Sequence, residues 1–480
     1  MKKENLRKTK IVCTIGPVSE SEEMIRKLAG AGMNVARINF SHGGYEENKE
    51  KIETIKKVRN ELGEPIPICL DTKGPEIRTG KIESGDEKVE ITEGQKFTFL
   101  YEDVIGDNTK TSISYKGLYQ DVIPGTTILV DDGALEFVVD AIEEKDIVCT
   151  AVHEGKLGSR KTVNVPGLKL NLPALSEKDI QDLKDGAKAK FDYIFASFVR
   201  RADDVNQIRK VLDENGGESI KIISKIESEE GIQNFKEILE VSDGIMVARG
   251  DMAVEIPFEQ VPVVQKTFIR KCNEEAKPVI TATQMLESMT FNPRPTRAEV
   301  SDVANAIYDR TGAIMLSGES AMGKHPDLCV NTMHKISQAI EEDVSYWKRF
   351  SASELDMARD DIKRHVAYIA TVTAKNLKAD AIVVYTHTGN SARNLAGMGP
   401  RCPILVITDC KETYHQMGLI WNVHPVLIEG EENIDKTIEE GIEKLKENIL
   451  EEGDVVIISG GAKILNNNSE NQVIDGILKI

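Results

Sequence analysis

The sequence predicts an α/β fold: a (β/α)8 barrel with an inserted small β-barrel lid domain and a C-terminal open α/β domain. Eight short apolar segments alternate with helix-length segments, and eight such units make a closed parallel barrel. Between about 74 and 170 helical periodicity disappears, and short alternating runs with Gly and Asp turns predict a separate β domain. We therefore expect the barrel to comprise residues 1–73 and 171–344, the lid 74–170, and the C-terminal domain 345–480.

The barrel strands fall on both sides of the lid. Three apolar runs before it predict strands at 11–16, 33–40 and 66–70. Five runs after it predict strands at 192–198, 220–227, 244–251, 278–284 and 313–320. Ser176 with Asp179 three residues later is close to a capping box and predicts the start of the helix that leads into the second group.

Polar side chains follow the apolar part of most barrel strands. The carboxyl ends of parallel barrel strands meet at one mouth, where the active sites of such barrels lie. We expect these residues to converge there: Arg37, Asn39, Asp71, Thr72, Lys225, Glu227, Asp251 and Thr283. The lid is inserted at the end of the third strand, which lies at the same mouth, so that it can close over a substrate there.

The stretch from Ile220 to Gly231 carries the most informative pair of charges. Lys225 and Glu227 are two residues apart at the end of a strand, so their side chains share a face. Such a pair suits chemistry on a phosphorylated carboxylic acid, and the alternative is an exposed Lys/Glu pair at a strand end. This segment alone leaves both interpretations open, and the oxygen ligands on the neighbouring strands favour the first.

Two groups of oxygen ligands predict two cation sites at the mouth. Glu227 and Asp251 end adjacent strands and form a hard carboxylate pair suited to Mg²⁺, whereas either one alone is more typical of a helix cap. Lys225 and Arg249, each two residues from one carboxylate, favour the metal interpretation. A second set offers neutral oxygens and a single charge, which suits a monovalent cation: Asn39, Ser41, Asp71 and Thr72.

The C-terminal region predicts an open sheet with a candidate phosphate site. Strands are expected at 381–385, 404–408, 426–428, 455–459 and near 473–480. The loop after the first of them combines hydroxyls, a glycine and a helix N-terminus: Thr386, His387, Thr388, Gly389, Asn390 and Ser391. These groups predict a phosphate cradle, and an ordinary capped strand-to-helix turn is an equal alternative.

Composition excludes several classes of partner. The chain has 61 Lys and Arg against 79 Asp and Glu, a net charge of −18, which argues against nucleic acid and anionic membranes. It contains no apolar stretch long enough to span a membrane, and its charged start does not resemble a signal peptide. The 7 cysteines contain no CxxC pair, so we expect a reducing, cytoplasmic setting.

Several long motifs resemble the signature segments of the pyruvate kinase family, across essentially the whole chain. They are MNVARINFSHG, LDTKGPEIRTG, LPALSEKDIQDLK, IISKIESEEGI, GIMVARGDMAVEIP, VITATQMLESM and NPRPTRAEVSDVANAIYDRTGAIMLSGESA. The resemblance implies transfer of a phosphoryl group from phosphoenolpyruvate to ADP, giving pyruvate and ATP, with Mg²⁺ (or Mn²⁺) and usually K⁺. It also implies a homotetramer, a sugar-phosphate or nucleotide effector, and a regulatory role for the C-terminal domain.

The resemblance implies a role for each residue that matches a family motif. Glu227 and Asp251 would ligate Mg²⁺, and Asn39, Ser41, Asp71 and Thr72 would bind K⁺. Lys225 would neutralise the transferring phosphoryl group and the enolate. Thr283, Gly250 and Asp251 would contact the substrate carboxylate, with Thr283 near the carbon that is protonated. The nucleotide phosphates would face four cationic groups: Arg37, His42, Arg78 and Lys161. Arg37 would also reach the transferring group.

Other positions refine or depart from the family pattern. Glu76 occupies a position where, in sequences of this pattern, Glu accompanies K⁺ dependence and Lys accompanies independence. The segment Arg310-Thr311-Gly312 replaces a more common Gly-Thr-Asp, and the sequence offers no account of it. We expect no phosphohistidine-type domain of the kind that some bacterial relatives carry at the C-terminus.

Two rival interpretations of the function remain. One is another Mg²⁺-dependent barrel acting on pyruvate or phosphoenolpyruvate, and the other is a catalytically dead binding protein on the same fold.

Overall fold

The barrel begins with three strands and two helices. The computed structural model describes residues 6–41, 43–83, 87–343, 361–430, 434–462 and 471–480. The first elements are β1 (Lys10–Thr14), α1 (Glu22–Ala31), β2 (Val35–Asn39), α2 (Tyr45–Leu62) and β3 (Ile68–Asp71). Helix α1 begins where the Ser21 side chain accepts a hydrogen bond from the Met24 amide, and it ends at Gly32, whose left-handed backbone suits glycine.

The lid is a mixed β-sheet whose two edges meet. Its elements are β4 (Ile77–Arg78), β5 (Val89–Ile91), β6 (Lys96–Leu100), β7 (Lys110–Ser112), α3 (Leu118–Asp121), β8 (Thr127–Val130), β9 (Leu135–Glu143), β10 (Asp146–Ala151), β11 (Gly155–Leu157) and β12 (Thr162–Asn164). Seven strands pair in the order β4-β12-β8-β9-β10-β6-β7, and β5 pairs with β11. A bridge between Thr79 and Ile113 joins the two edges, so the sheet closes on itself as a small barrel.

The second part of the barrel supplies five more strands. Its elements are α4 (Glu177–Lys188), β13 (Tyr193–Ala196), α5 (Ala202–Asp213), β14 (Lys221–Ile226), α6 (Glu229–Gln233), α7 (Phe235–Val241), β15 (Gly244–Ala248), α8 (Arg249–Glu255), α9 (Val261–Glu274), β16 (Val279–Ala282), α10 (Arg297–Tyr308), β17 (Ala313–Leu316), α11 (Gly318–Ala321) and α12 (Pro326–Glu342). The capping box predicted at Ser176 and Asp179 is present at the start of α4.

Eight parallel strands close the barrel in the order β1-β17-β16-β15-β14-β13-β3-β2. The predicted TIM-type (β/α)8 fold is therefore confirmed. The strands are buried on both faces because helices cover the outside and side chains fill the inside, as their continuous apolar runs indicate. Two predicted strands extend into the following helix. The predicted strand 313–320 ends at Leu316, and helix α11 begins at Gly318. The predicted strand 244–251 is also too long. Strand β15 ends at Ala248, and helix α8 begins at Arg249, so Asp251 lies in the first turn of a helix rather than on a strand.

The C-terminal domain is an open five-stranded sheet with helices. Its elements are α13 (Ile362–Leu377), β18 (Ala381–Tyr385), α14 (Asn390–Met398), β19 (Ile404–Thr408), α15 (Lys411–Gln416), β20 (Val423–Leu427), α16 (Ile434–Asn448), β21 (Val455–Ala462) and β22 (Asn471–Lys479). The order is β20-β19-β18-β21-β22, with only β22 antiparallel to its neighbour. The five predicted strands are confirmed, although β20 begins earlier than the predicted residue 426.

Arg310 connects the barrel to the C-terminal domain. Its backbone is left-handed, with φ of 72°, where glycine is the usual residue. The side chain donates hydrogen bonds to the carbonyls of Ala396 and Gly397 in the last turn of α14, and its guanidinium lies 5.3 Å from the ring centre of Trp421. The departure at this position therefore has a structural explanation.

Within the described ranges, no helix is long and apolar enough to cross a membrane.

Candidate active site

Arg37, Asp71 and Lys225 form a buried chain of charges at the mouth of the barrel. Arg37 Nε lies 2.5 Å from Asp71 Oδ2, and Lys225 Nζ lies 3.1 Å from Asp71 Oδ1. Arg37 also donates to the hydroxyl of Thr14 at 2.7 Å. Burial alone would raise the pKa of Asp71, but the cations of Arg37 and Lys225 outweigh it and lower that pKa. Asp71 therefore carries a full negative charge between two cations.

Lys225 also pairs with Glu227, as the shared face of their strand predicted. The distance from Lys225 Nζ to Glu227 Oε1 is 3.2 Å, and both residues are buried. Burial favours the neutral amine, but the carboxylates of Asp71 and Glu227 outweigh it and raise the pKa of Lys225 above its usual value. The alternative of an exposed Lys/Glu pair is therefore wrong. The two carboxylates therefore favour the charged form of the lysine and fix its position at the mouth.

Glu227 and Asp251 carry negative charge that the protein does not fully balance. Burial raises the pKa of Glu227 to about 7, against the opposing effect of Lys225 and with a contribution from Asp251. Burial also raises the pKa of Asp251, to which Asp132 and Glu76 contribute. A carboxylate pair of this kind, with Glu227 buried and Asp251 half-buried, needs a proton or a further cation to be stable.

This imbalance fits a divalent cation. Among the residues that the structure describes, no group of three or more His, Cys, Asp or Glu side chains could hold a metal ion. Magnesium is nevertheless often held by only one or two carboxylates, with substrate phosphates and water as its other ligands. Glu227 and Asp251 provide two carboxylates of that type at the mouth.

The predicted monovalent-cation residues are adjacent in the barrel. Asn39 and Asp71 are register partners on β2 and β3, which places their side chains next to one another. The Asn39 side-chain oxygen accepts a hydrogen bond from the Ser41 amide at 3.0 Å. Thr72 follows Asp71 and is buried. The predicted nucleotide residue His42 lies outside the described residues.

Thr283 and Gly250 meet at the same mouth. The Gly250 amide donates to Thr283 Oγ1 at 2.9 Å. The φ of Thr283 is 70°, and that of Gln284 is 51°, so two successive residues have left-handed backbones. For a β-branched residue this conformation is a genuine outlier, and such strain concentrates at functional sites.

The two lid cations predicted to face the nucleotide are paired with lid carboxylates. Arg78 lies 2.7 Å from Glu76 Oε2, and Lys161 lies 2.8 Å from Asp131 Oδ1. The lid also touches the barrel directly, since the Asn164 side chain donates to Glu255 Oε1 at 2.8 Å. Helix α8 carries both Glu255 and Asp251, so the lid rests on the helix that supplies one of the carboxylates.

Arg249 does not face the carboxylate pair, contrary to the sequence interpretation. Its guanidinium instead binds Asp302 at 2.8 Å and the carbonyl of Thr283 at 2.7 Å. Arg249 is the first residue of helix α8 and not part of the strand. Its side chain therefore does not point where the sequence interpretation, which assumed a strand, had placed it. Lys225 remains beside the carboxylate pair, whereas Arg37 pairs with Asp71.

Ser197 and Phe198 belong to the site, although no motif indicated them. The Ser197 hydroxyl accepts from Lys225 Nζ at 2.7 Å and donates to the Thr72 carbonyl at 2.6 Å. The Phe198 amide donates to Glu227 Oε2 at 2.6 Å, from a left-handed backbone with φ of 54°. One two-residue turn after β13 therefore orients both the lysine and a carboxylate.

The candidate phosphate loop of the C-terminal domain is only partly accessible. Thr386 and Ser391 are buried, and the Thr386 hydroxyl accepts from the Gly389 amide at 3.0 Å. Thr388 and Asn390 are exposed. Arg393 donates to the Thr388 carbonyl at 3.2 Å and also to the Asn390 side chain, so it adds a cation that the sequence analysis did not include.

Comparisons with known proteins assign the family. The family described as "Pyruvate kinase, barrel domain" matches residues 6–330, and "Pyruvate kinase, alpha/beta domain" matches 364–473. A pyruvate kinase of Clostridium acetobutylicum is 48% identical over 95% of this chain and 96% of its own length. Those of Clostridium perfringens and Staphylococcus saprophyticus are each 47% identical over 95% of this chain, and over 96% and 78% of their own lengths. The chain therefore belongs to the pyruvate kinase family of phosphotransferases.

Proposed function

We propose that the mouth of the barrel transfers the phosphoryl group of phosphoenolpyruvate to ADP and releases pyruvate and ATP, the last step of glycolysis. The observation that carries this proposal is the buried Lys225, held as a cation between Asp71 and Glu227. An assay for pyruvate formed from phosphoenolpyruvate and ADP tests it. We expect turnover that depends on both substrates, and the absence of pyruvate would contradict the proposal.

The proposed roles of the fixed cations derive from the chemistry of phosphoryl transfer. Its transition state spreads negative charge over the equatorial oxygens, and the protein contributes mainly positioning and positive charge. Lys225 would neutralise the transferring group and then the enolate, and Arg37 would bind the same phosphate. Gly250, Asp251 and Thr283 would bind the substrate carboxylate, with Thr283 close to the carbon that receives the proton.

Two cations complete this proposal. Mg²⁺ (or Mn²⁺) would be held by Glu227 and Asp251 and would supply positive charge toward the phosphate oxygens. K⁺ would be held by Asn39, Ser41, Asp71 and Thr72. Because Asp71 is already balanced by two cations, its site suits a singly charged ion better than a second divalent one.

Removal of either carboxylate should raise the Mg²⁺ requirement. Glu227→Gln and Asp251→Asn each delete a charged ligand, and even changes to groups that only orient a ligand cost about 10–100-fold in metal affinity. We therefore expect the half-saturating Mg²⁺ concentration to rise by at least about tenfold in each variant. Glu259→Gln, at an exposed carboxylate, is the control. Titrations of both variants that overlay wild type would place the metal elsewhere.

The nucleotide would bind where the lid meets the mouth. We assign its phosphates to Arg37, Arg78, Lys161 and His42. A cleft of about 100 Å³ lies between the lid and the barrel, lined by Asn164 and Asp251 but not by Arg37, Arg78 or Lys161. In the structure Arg78 and Lys161 hold lid carboxylates, so nucleotide binding would exchange those partners for phosphate oxygens.

The C-terminal loop is our candidate for the phosphate of a sugar-phosphate or nucleotide effector, through Thr386, Thr388, Gly389, Asn390 and Ser391. Asn390→Asp should weaken activation by any such effector and spare unactivated turnover, because an exposed carboxylate would repel the phosphate. Coupling of this kind is usually worth about 1–3 kcal/mol, which is measurable as a shift in half-saturation. If the variant responds like wild type to an effector that activates wild type, the loop does not bind the effector phosphate.

We also propose that the protein is a homotetramer and is cytoplasmic. We propose three domains: the barrel at 1–73 and 171–344, the lid at 74–170 and the C-terminal domain at 345–480. Large apolar side chains are exposed on the barrel and the C-terminal domain: Phe258, Val263, Phe291, Met322, Ile362 and Ile477. Such side chains favour an interface between copies. Light scattering tests the assembly, and a monomeric mass of 53.2 kDa would contradict it. All seven cysteines are free, which supports a reducing compartment.

A further inference from the structure

Arg249 binds the backbone carbonyls of two successive residues, Ala282 and Thr283. Its Nε donates to the carbonyl of Ala282 at 3.2 Å, and one terminal nitrogen donates to the carbonyl of Thr283 at 2.7 Å. The Thr283 hydroxyl donates to the same Ala282 carbonyl at 2.6 Å. The guanidinium is therefore attached to the segment that presents the Thr283 hydroxyl.

The other donors of Arg249 are also occupied, so its own position is well determined. Gln265 Oε1 accepts at 3.3 Å, Asp302 Oδ1 at 2.8 Å and Met285 Sδ at 2.9 Å. A guanidinium offers five N–H donors in one rigid plane, and all five have acceptors here. A lysine has three donors on a flexible stem and cannot reproduce this set.

The segment that Arg249 holds is strained. Thr283 and Gln284 have φ values of 70° and 51°, and neither is a glycine. Strained backbone of this kind persists only where surrounding contacts determine it. In this turn the Thr283 hydroxyl oxygen accepts a hydrogen bond from the Gly250 amide at 2.9 Å, which fixes the hydroxyl at the mouth.

We propose that Arg249 is a positioning residue that maintains the left-handed turn at Thr283 and Gln284 and thereby aims the Thr283 hydroxyl. Asp302 and Gln265 orient the guanidinium, the guanidinium binds the two carbonyls, and the carbonyls determine the turn. This inference rests on the proposed function, in which Thr283 contacts the substrate. Arg249 itself does not touch the reacting group.

Arg249→Lys should reduce kcat by about 10- to 100-fold, because a displacement of about 1 Å at a reacting group costs that much. The KM for phosphoenolpyruvate should rise less than kcat falls, because Thr283 would supply only one contact to the substrate carboxylate and Lys225 and Arg37, which would bind the phosphate, are not partners of Arg249. Arg270→Lys, at an exposed arginine on α9, is the matched control and should leave both constants near wild type. A kcat of Arg249→Lys within twofold of the control would overturn the proposal.

Relief of strain should rescue the variant. Glycine adopts left-handed backbone without steric cost, so adding Gln284→Gly to Arg249→Lys should restore a large part of kcat. Gln284→Gly alone should be near wild type. Lys378→Gly relieves a left-handed residue at the end of α13, far along the chain, and should not rescue kcat. Equal rescue by both glycines, or by neither, would overturn the proposal.

Hydrogen exchange provides a readout that does not depend on turnover. The Gly250 amide should exchange faster in Arg249→Lys than in wild type and return toward the wild-type rate in the double variant with Gln284→Gly. If Arg249→Lys does not fold, Asp302→Asn keeps the arginine and should give the same pattern with a smaller fall in kcat.

Thr283→Ala, measured in parallel, separates the two ideas. An impaired Thr283→Ala with an unimpaired Arg249→Lys overturns the positioning role alone. A fully active Thr283→Ala overturns the role proposed for Thr283 and, with it, this inference.

Discussion

Lys225→Met should reduce turnover by more than about 10³-fold while the protein remains folded. Losing one preorganised donor or charge at a developing oxyanion costs about 10²–10³ in rate, and Lys225 would serve both the phosphoryl group and the enolate. In the variant, Asp71 and Glu227 would also lose a shared cation at 3.1 and 3.2 Å. Steady-state turnover at saturating substrates and Mg²⁺ measures the effect.

Lys221→Met is the matched control for this prediction. Lys221 begins the strand that carries Lys225, lies at the opposite end of the barrel and pairs with Asp243 at 3.6 Å. Its loss should leave turnover near wild type. A Lys225→Met enzyme within tenfold of wild type, with an unchanged unfolding temperature, would contradict the assignment of Lys225.

Glu76→Lys should be active without K⁺, whereas we expect wild type to need it. Glu76 is largely buried, lies 2.7 Å from Arg78, and contributes negative charge at Asp251. With a carboxylate here the mouth is short of positive charge, and we expect a bound monovalent cation to supply it. A lysine ammonium would supply that charge from the protein. We expect the Glu76→Lys variant to turn over more slowly than K⁺-saturated wild type at saturating substrate, because a tethered charge is displaced from the ideal position.

Assays in tetramethylammonium buffer, with and without KCl, decide this second prediction. Wild type should need K⁺ or NH₄⁺ and be poorly active with Na⁺ alone. Glu83→Lys places the same charge change on an exposed residue of the lid and should remain K⁺-dependent. Full wild-type activity without any K⁺ would contradict both the cation site and the role of Glu76.

Much of the site can be predicted from strand ends alone. Lys225 and Glu227 share a face because side chains alternate along a strand, and Asn39 and Asp71 are neighbours because their parallel strands end at one level. These relations depend on local periodicity and on the direction of the strands, both of which the sequence contains. The sequence interpretation of Arg249 was wrong because it assumed that the strand continued through this residue. The chain turns into a helix at that residue, which changes the direction of its side chain.

Local patterns in the sequence were sufficient for the order of the elements, the eight-stranded barrel, the closed lid sheet and the polar residues at the mouth. The pairing of charges became known only from the folded chain: Arg78 with Glu76, Lys161 with Asp131, and Arg249 with Asp302. The folded chain also brought in the Ser197–Phe198 turn and explained Arg310. The physical reason is range. Strand and helix patterns arise from neighbours in the chain, whereas the partner of a long polar side chain is set by atoms from distant segments that meet only when the barrel, lid and C-terminal domain are assembled.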